Sequence, residues 1–258
     1  MRFIDQMNNT ILLSSPPKRI VSLVPSISEL LVDLGLEKYI VGITKFCTEP
    51  VHLKTQCKII GGTKNIHIDK IKELKPDFII ANKEENIENE ILELMKFSKV
   101  WISNVKTLDD NFELISQLGN IFNKNFEADN IITKTKTTFN NLNFSKIKEK
   151  EVLYLIWKKP YMSVGKDTFI HHILSQIGLK NCIIENRYPV VNLEKHKKVD
   201  YVFLSSEPYP FTENDMIDLQ FCFQNSKIVL VDGALFSWYG SRLSKSKGFF
   251  EKLITQLD

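Results

Sequence analysis

The groups that could do covalent or metal chemistry in this sequence are few and scattered. There are five histidines and four cysteines in 258 residues. His171 and His172 are adjacent on a helical stretch, so they point about 100° apart and cannot share a metal from one face. His52, His67 and His196 stand apart. Cys47, Cys57, Cys182 and Cys222 form no C-x-x-C, so no zinc ribbon or thioredoxin-like site is indicated. They read as buried thiols, with Cys47 set aside because it follows a strand. The sequence has no G-x-S-x-G, H-E-x-x-H or G-x-G-x-x-G, and Gly165-Lys166 lacks the flanking residues of a P-loop. The adjacent carboxylates Glu84 and Glu85 could do acid-base work, or simply accept hydrogen bonds from a ligand. Neither an enzyme nor a direct zinc or manganese receptor is the expectation. No catalytic cofactor is expected.

More suggestive is what lies just after each predicted strand, where ligands bind in open α/β sheets. In the first half these positions are polar: Pro25-Ser26, Lys45-Phe46-Cys47, the turn Gly61-Gly62-Thr63-Lys64-Asn65, and Asn82-Lys83-Glu84-Glu85-Asn86. In the second half they are aromatic: Trp157 to Tyr161, Ser206 to Phe211, and Asp232 to Gly240, which contains Phe236, Trp238 and Tyr239. Each ring alone could cap the core. Trp157, Trp238 and Tyr239 together suit stacking on a ligand with flat apolar faces and a polar rim.

The elements that position these residues follow from periodicity. Strands are predicted at Ile20 to Val24, Tyr39 to Thr44, Asp77 to Ala81, Val100 to Ser103, Val152 to Trp157, Tyr201 to Leu204 and Ile228 to Val231. Helices are predicted at Ile68 to Leu74, Glu88 to Phe97, Thr168 to Ile177 and Ser244 to Leu257. Ser26-x-x-Glu29 has the form of a capping box for a helix that stops at Gly35. Asp167 reads as an N-cap. This alternation implies parallel sheets flanked by helices.

Between the halves, Leu108 to about Asn141 carries apolar residues mostly three and four apart. One helix of this length would run roughly 45 Å, a spine joining two lobes. The alternative is two helices broken near Asn123-Lys124-Asn125. The lobes are placed at residues 1–106 and 147–258, with the spine and linker at 107–146.

Composition sets outer bounds. The chain is 43% hydrophobic and 25% charged, which excludes a disordered or fibrous chain. A net charge of +3 gives no case for nucleic acid. No apolar run approaches the roughly 20 residues of a spanning helix. Asp5, Gln6, Asn8 and Asn9 interrupt any secretory leader. The expectation is therefore cytoplasmic if this is the native chain, unless a leader has been removed.

Several stretches together resemble the class III periplasmic substrate-binding proteins of ABC importers, the group that carries cobalamin, siderophores and haem. These are Arg19 to Ser26 with Glu29-Leu30-Leu31, then Val41-Gly42-Ile43-Thr44, Gly61-Gly62, Asp69-Lys70-Ile71 and Leu74-Lys75-Pro76-Asp77. A cobalamin-binding-like branch is suggested by Asn82 to Asn86, Ile156 to Met162, Ser206 to Phe211 and Ser237-Trp238-Tyr239-Gly240. The resemblance implies an α/β fold of two Rossmann-like lobes with parallel sheets, joined by one long backbone helix, with a ligand cleft between the lobes. It implies a periplasmic or membrane-associated monomer that binds a corrinoid or another metal chelate and docks on a permease. Ferric siderophore or haem is the rival ligand, with Lys45, Lys64, Lys83, Lys158 and Lys159 as its cations. A cytoplasmic enzyme or sensor on the same fold is the rival of another class.

Under the resemblance, Trp157, Trp238 and Tyr239 stack on the ligand. Lys64, Asn65, Glu84, Glu85 and Asn86 bond its rim, and Glu207, Asp232 and Arg242 support it. Pro25, Ser26, Lys45, Cys47, Lys159, Tyr161 and Tyr209 complete the set. Asp69 matches a permease-docking acid on the first lobe, and Glu194 and Glu213 are candidates on the second.

Overall fold

Short runs of β-branched and aromatic residues make the strands, and amphipathic stretches cover them. The computed structural model describes all 258 residues. The chain opens with a hairpin, β1 (Arg2–Ile4) and β2 (Thr10–Leu12). Then follow β3 (Ile20–Ser22), α1 (Pro25–Asp33), β4 (Ile40–Ile43), α2 (Leu53–Gln56), β5 (Lys58–Ile59), α3 (Ile68–Glu73), β6 (Phe78–Asn82), α4 (Glu88–Met95) and β7 (Lys99–Ser103). Two long helices, α5 (Leu108–Phe122) and α6 (Asn125–Asn140), lead on to β8 (Glu151–Trp157), β9 (Met162–Ser163), α7 (Phe169–Gln176) and β10 (Lys180–Asn181). The last elements are β11 (Tyr201–Ser205), α8 (Glu213–Gln220), β12 (Lys227–Val231), α9 (Gly233–Ser237) and α10 (Lys247–Leu257).

The chain divides into two compact units. The first holds Met1–Thr135 and Tyr239–Ser244, the second Lys136–Trp238 and Lys245–Asp258. The first unit's sheet has the order β5-β4-β3-β6-β7, all parallel. The second has β10-β8-β11-β12, also parallel, with β9 antiparallel to β8. The expected α/β class with two parallel-sheet lobes is what the chain adopts. Every residue of β3, β6 and β11 is buried, as both faces of a parallel sheet require. The first core gathers Val21, Leu23, Ile60, Ile79, Ile91 and Leu94. In the second, Leu153, Leu155, Val202 and Leu204 line one face of the sheet. On the other face Phe236 meets Tyr154 and Phe250 edge-on, with centroids 5.3 and 5.5 Å apart.

The single spine over 108–141 is corrected to two helices. Asn123 closes α5 in the left-handed conformation at φ 56°, which Asn tolerates better than most residues. The Lys124 amide then bonds the Gly119 carbonyl at 2.7 Å, satisfying a helix-end acceptor. Gly119 permits the fold-back, since a Cβ there would lie 2.7 Å from the Ala128 Cβ. Two caps also differ from expectation. No side chain caps α1. Glu29 pairs instead with Arg242 at 2.8 Å, and the Ser28 hydroxyl bonds Ser22 at 2.9 Å. Thr168, not Asp167, caps α7. The closing helix begins later than expected, with a 3-10 turn at Arg242–Lys245 before α10.

The N-terminal hairpin is a further element. The buried Asp5 carboxylate accepts the Met7 and Asn9 amides at 2.9 and 2.8 Å and the Ile102 amide of β7 at 3.0 Å. One side chain thus closes the hairpin and docks it on the sheet.

Tyr239–Ser244 is held in the first unit although it follows α9. Asn111, wholly buried on α5, accepts the Gly240 amide at 2.6 Å and donates to the Gly240 carbonyl at 3.3 Å, as a neighbouring strand would. The Glu29–Arg242 pair anchors the next turn. Asn111→Ala leaves a buried amide and carbonyl unpaired, a loss of about 1–3 kcal/mol. The expected result is a lower urea midpoint with faster exchange of the Gly240 amide. An unchanged midpoint and exchange rate contradict this role.

Candidate functional site

In each sheet the chain runs outward from a central strand and then starts again on that strand's other side. In the first unit it runs from β3 through β4 to β5, and resumes at β6. In the second it runs from β8 to β10, and resumes at β11. At such a reversal the loops leaving the two central strands diverge and open a crevice at the strands' carboxyl ends. The residues there are Leu23 to Ser26 with Lys83 to Asn86 in the first unit, and Lys158 to Tyr161 with Ser206 to Tyr209 in the second.

In the first unit, the loop after β6 is built on Asn82. Its Oδ1 accepts the Glu84 and Glu85 amides at 2.7 and 3.0 Å. Its Nδ2 donates to the Ser103 carbonyl and hydroxyl at 3.2 and 3.1 Å. Asn86 closes the loop. Its Oδ1 takes the Asn82 amide at 2.8 Å, and its Nδ2 reaches the Thr63 carbonyl at 3.0 Å. Asn86 is buried, so it sets the loop rather than lining the crevice. Glu84 and Glu85 are half-buried, and the Lys64 ammonium donates to the Glu84 carbonyl.

Tyr239 is also internal, with its hydroxyl 3.2 Å from Ser103. Burial, then the Glu85 charge, raise its pKa well above the ordinary value; the Ser103 hydrogen bond acts the other way. Cys47 is fully buried, 3.0 Å from the Ser28 hydroxyl. Burial raises its pKa, with the Ser28 and Thr44 hydrogen bonds opposing and the Glu85 charge adding. Pro25 and Ser26 are buried in the first turn of α1. Lys45, Asn65 and Lys83 are exposed, and Lys45 lies over the Phe46 ring at 5.1 Å. Arg242 is committed to Glu29.

In the second unit, Trp157 is 40% exposed at the end of β8. It meets Tyr209 edge-on at 5.8 Å, and Tyr209 meets Phe211 at 4.8 Å. Lys158 bonds Asp215 at 2.5 Å and Asp218 at 3.4 Å. Lys159 is exposed, and Tyr161 is half-buried. Glu207 accepts the Ser237 hydroxyl at 2.7 Å and the Trp238 indole N–H at 3.1 Å. Asp232 caps α9 by accepting the Ala234 amide at 3.0 Å. Beneath these groups the buried Tyr154 hydroxyl donates to Ser205 at 3.2 Å. Its pKa is raised by burial first, then by the charges of Glu207 and Asp232, against the Ser205 hydrogen bond.

The expected residues thus divide by role. Trp157, Tyr209, Trp238, Glu207, Lys159 and Asp232 gather at the carboxyl end of the second sheet. Glu84, Glu85 and Lys64 gather in the first unit. Asn86, Cys47, Tyr239 and Arg242 hold those loops from inside. Sequence reasoning names Asn82 only as part of the loop after β6 and passes over Ser103, Ser205 and Tyr154, because a Ser ending a strand reads as a turn former and a Tyr inside one as core. No group of three or more His, Cys, Asp or Glu side chains is placed to hold a metal ion. Outside the crevices, Asp69 is exposed on α3. Glu213 is exposed at the start of α8. Glu194 is exposed and paired with Lys197 at 2.5 Å.

A family model described as periplasmic binding protein matches residues 20–219. The chain is 27% identical over 187 residues to the ABC transporter substrate-binding lipoprotein YvrC of Bacillus subtilis, covering 69% of this chain and 59% of that protein. It is 24% identical over 181 residues to the vitamin B12-binding protein of Pectobacterium atrosepticum, covering 67% and 64%. The match therefore spans less than two thirds of either relative's length. Among solved structures, the vitamin B12-binding protein BtuF of Vibrio cholerae superposes with a TM-score of 0.78 at 19% identity, covering 94% of this chain and 98% of that one. The haem-binding protein HutB of Vibrio cholerae gives 0.77 at 21%, covering 93% and 98%. At these identities the structures share the fold.

The Lys158–Asp215 pair has a measurable consequence. Burial alone would raise the Asp215 pKa, but Lys158 and the Thr212 amide and hydroxyl outweigh it and hold the carboxyl below its ordinary value. A lowered folded pKa contributes stability above the unfolded value of about 3.9, and that contribution is lost as pH falls through the folded value. Asp215→Asn should melt several degrees below wild type at pH 7, and the gap should close as the pH falls below about 4. A gap of equal size at pH 3 and pH 7 in thermal melts contradicts this.

Proposed function

The chain belongs to the periplasmic binding protein family, and we propose that it is the substrate-binding component of an ABC importer for a cobalamin-like corrinoid or another flat metal chelate. It acts by binding, and its partner is the importer's permease. The observation that carries this reading is the group at the carboxyl end of the second sheet. There an exposed Trp157 edged by Tyr209, and a Trp238 held by Glu207, offer flat apolar area beside carboxylates. The ring faces would stack on the macrocycle. Asp232 beside these rings, and Glu84 and Glu85 at the first unit's own crevice, are proposed as hydrogen-bond acceptors for amide N–H groups. The family and the relatives' names support uptake of such a ligand, delivered outside the cytoplasmic membrane. Asp69 is the proposed permease contact on the first unit, and Glu194 and Glu213, both exposed, are the candidates on the second.

The cations favour a neutral rim over an anionic ligand. Lys158 is committed to two aspartates, Arg242 to Glu29, and Lys64 to a carbonyl. Lys45, Lys83 and Lys159 are what an anionic ferric siderophore would have to use. Haem remains the closest rival, since a stacked macrocycle needs the same rings.

Calorimetry with cyanocobalamin should show 1:1 binding and a raised melting temperature, by mass action. Trp157→Ala should weaken it about tenfold or more, as loss of a stacked aromatic anchor does. No heat and no melting shift near millimolar ligand defeats the corrinoid reading. Binding of haemin alone moves the assignment to haem. Tight binding of a ferric siderophore that survives Trp157→Ala moves it to the siderophores.

A further inference from the structure

We propose that Glu207 is a positioning residue whose carboxylate fixes the Trp238 indole as a ligand-facing wall of the second unit. The inference rests on the binding function proposed above, but its geometry stands within the second unit alone. One oxygen, Oε1, accepts both the Ser237 hydroxyl at 2.7 Å and the Trp238 indole N–H at 3.1 Å. A tryptophan has two side-chain torsions, and a bond from its ring nitrogen to a fixed acceptor restrains both.

The acceptor is fixed because the Glu207 backbone is held on each side. The Ser205 hydroxyl donates to the Glu207 carbonyl at 2.5 Å. It accepts the Glu207 amide at 3.3 Å and the buried Tyr154 hydroxyl at 3.2 Å. That hydroxyl has used its one proton and both lone pairs. Gly233, which opens α9, packs directly against this turn. A Cβ there would lie 2.3 Å from the Ser205 Oγ and 2.7 Å from the Glu207 Cγ. The Gly233 amide also bonds the Ser206 hydroxyl at 3.0 Å. Glu207 and Trp238 are therefore joined twice, through the backbone contact at the start of α9 and through the carboxylate at its end.

An anchor ring gives affinity when it is held in its bound orientation before the ligand arrives. An acceptor at this position is what the role requires, and a negative charge is not. Gln should therefore substitute for Glu207, and Ala should not.

The test uses the full chain labelled with 15N-tryptophan. It has three indole N–H signals, from Trp101, Trp157 and Trp238. Trp238→Phe assigns the third by its loss. In Glu207→Ala the Trp238 indole signal should move, and its exchange with solvent should quicken by about tenfold or more. In Glu207→Gln it should stay near its wild-type position. An unmoved signal in Glu207→Ala overturns the proposal without reference to any ligand.

Affinity for cyanocobalamin is the second readout. Glu207→Ala should weaken it about tenfold, Glu207→Gln by less than about threefold, and Glu207→Ala should add nothing in a Trp238→Phe background. An equal loss in that background shows that Glu207 touches the ligand directly and overturns the positioning role. If the wild-type chain takes neither cyanocobalamin nor haemin, the proposed function fails, and the indole signal still decides whether Glu207 holds Trp238.

Discussion

Ser205 ends β11 with its hydroxyl buried, held by Tyr154 and holding Glu207. The same arrangement ends β7, where the buried Ser103 hydroxyl lies between Asn82 and Tyr239. A third instance ends β3, where the Ser28 hydroxyl bonds both Ser22 and Cys47. Burying a polar group without a partner costs about 1–3 kcal/mol in proteins. The central strands of these sheets are covered on both faces, so polar groups at their ends have little water to turn to. Each finds partners in a neighbouring strand or in the chain that follows the strand ends. Satisfying the ends of the sheets and shaping the loops at the strands' carboxyl ends are therefore one and the same constraint. The Asn82 side chain, which caps two amides of the 83–86 loop, shows it most directly.

Charge is arranged by the same rule. Of the basic side chains near the strand ends, those that are partly buried are spent on protein groups: Lys158 on Asp215 and Asp218, Arg242 on Glu29. Those left to solvent are Lys45, Lys83 and Lys159. The carboxylates of Glu207 and Asp232 take neutral donors. The polar surface that remains is rich in acceptors, and the apolar surface beside it is aromatic.

Much of this was legible in the sequence, for physical reasons. Parallel strands buried on both faces are near-continuous apolar runs, so β6, β7, β8, β11 and β12 stand out. The loops after them are where ligand chemistry gathers in such sheets, which is why Trp157, Tyr209 and Glu207 could be named. Other features depend on neighbours distant in sequence. Ser26 and Glu29 have the spacing of a capping box, but Arg242, more than 200 residues away, takes the glutamate. Tyr239 follows Trp238 and reads as a second stacking ring, yet it turns inward to Ser103. The break between α5 and α6 hangs on one left-handed Asn and on the approach of Ala128 to Gly119. The hydrophobic period runs on through that region, and only the polar Asn123-Lys124-Asn125 stretch marks the break, which the sequence offered as the alternative to one spine. The short β5, β9 and β10, at two residues each, have too little pattern to be read at all.

The central claim is the proposal that the loops at the carboxyl end of each sheet take part in ligand binding. Amide hydrogen exchange of the whole chain, with and without saturating cyanocobalamin, tests it most directly. The account predicts protection concentrated in residues 83–86, 157–161, 206–211 and 236–238, with α3, α10 and the β1–β2 hairpin unaffected. Protection confined to other segments, or none at saturation, would contradict it.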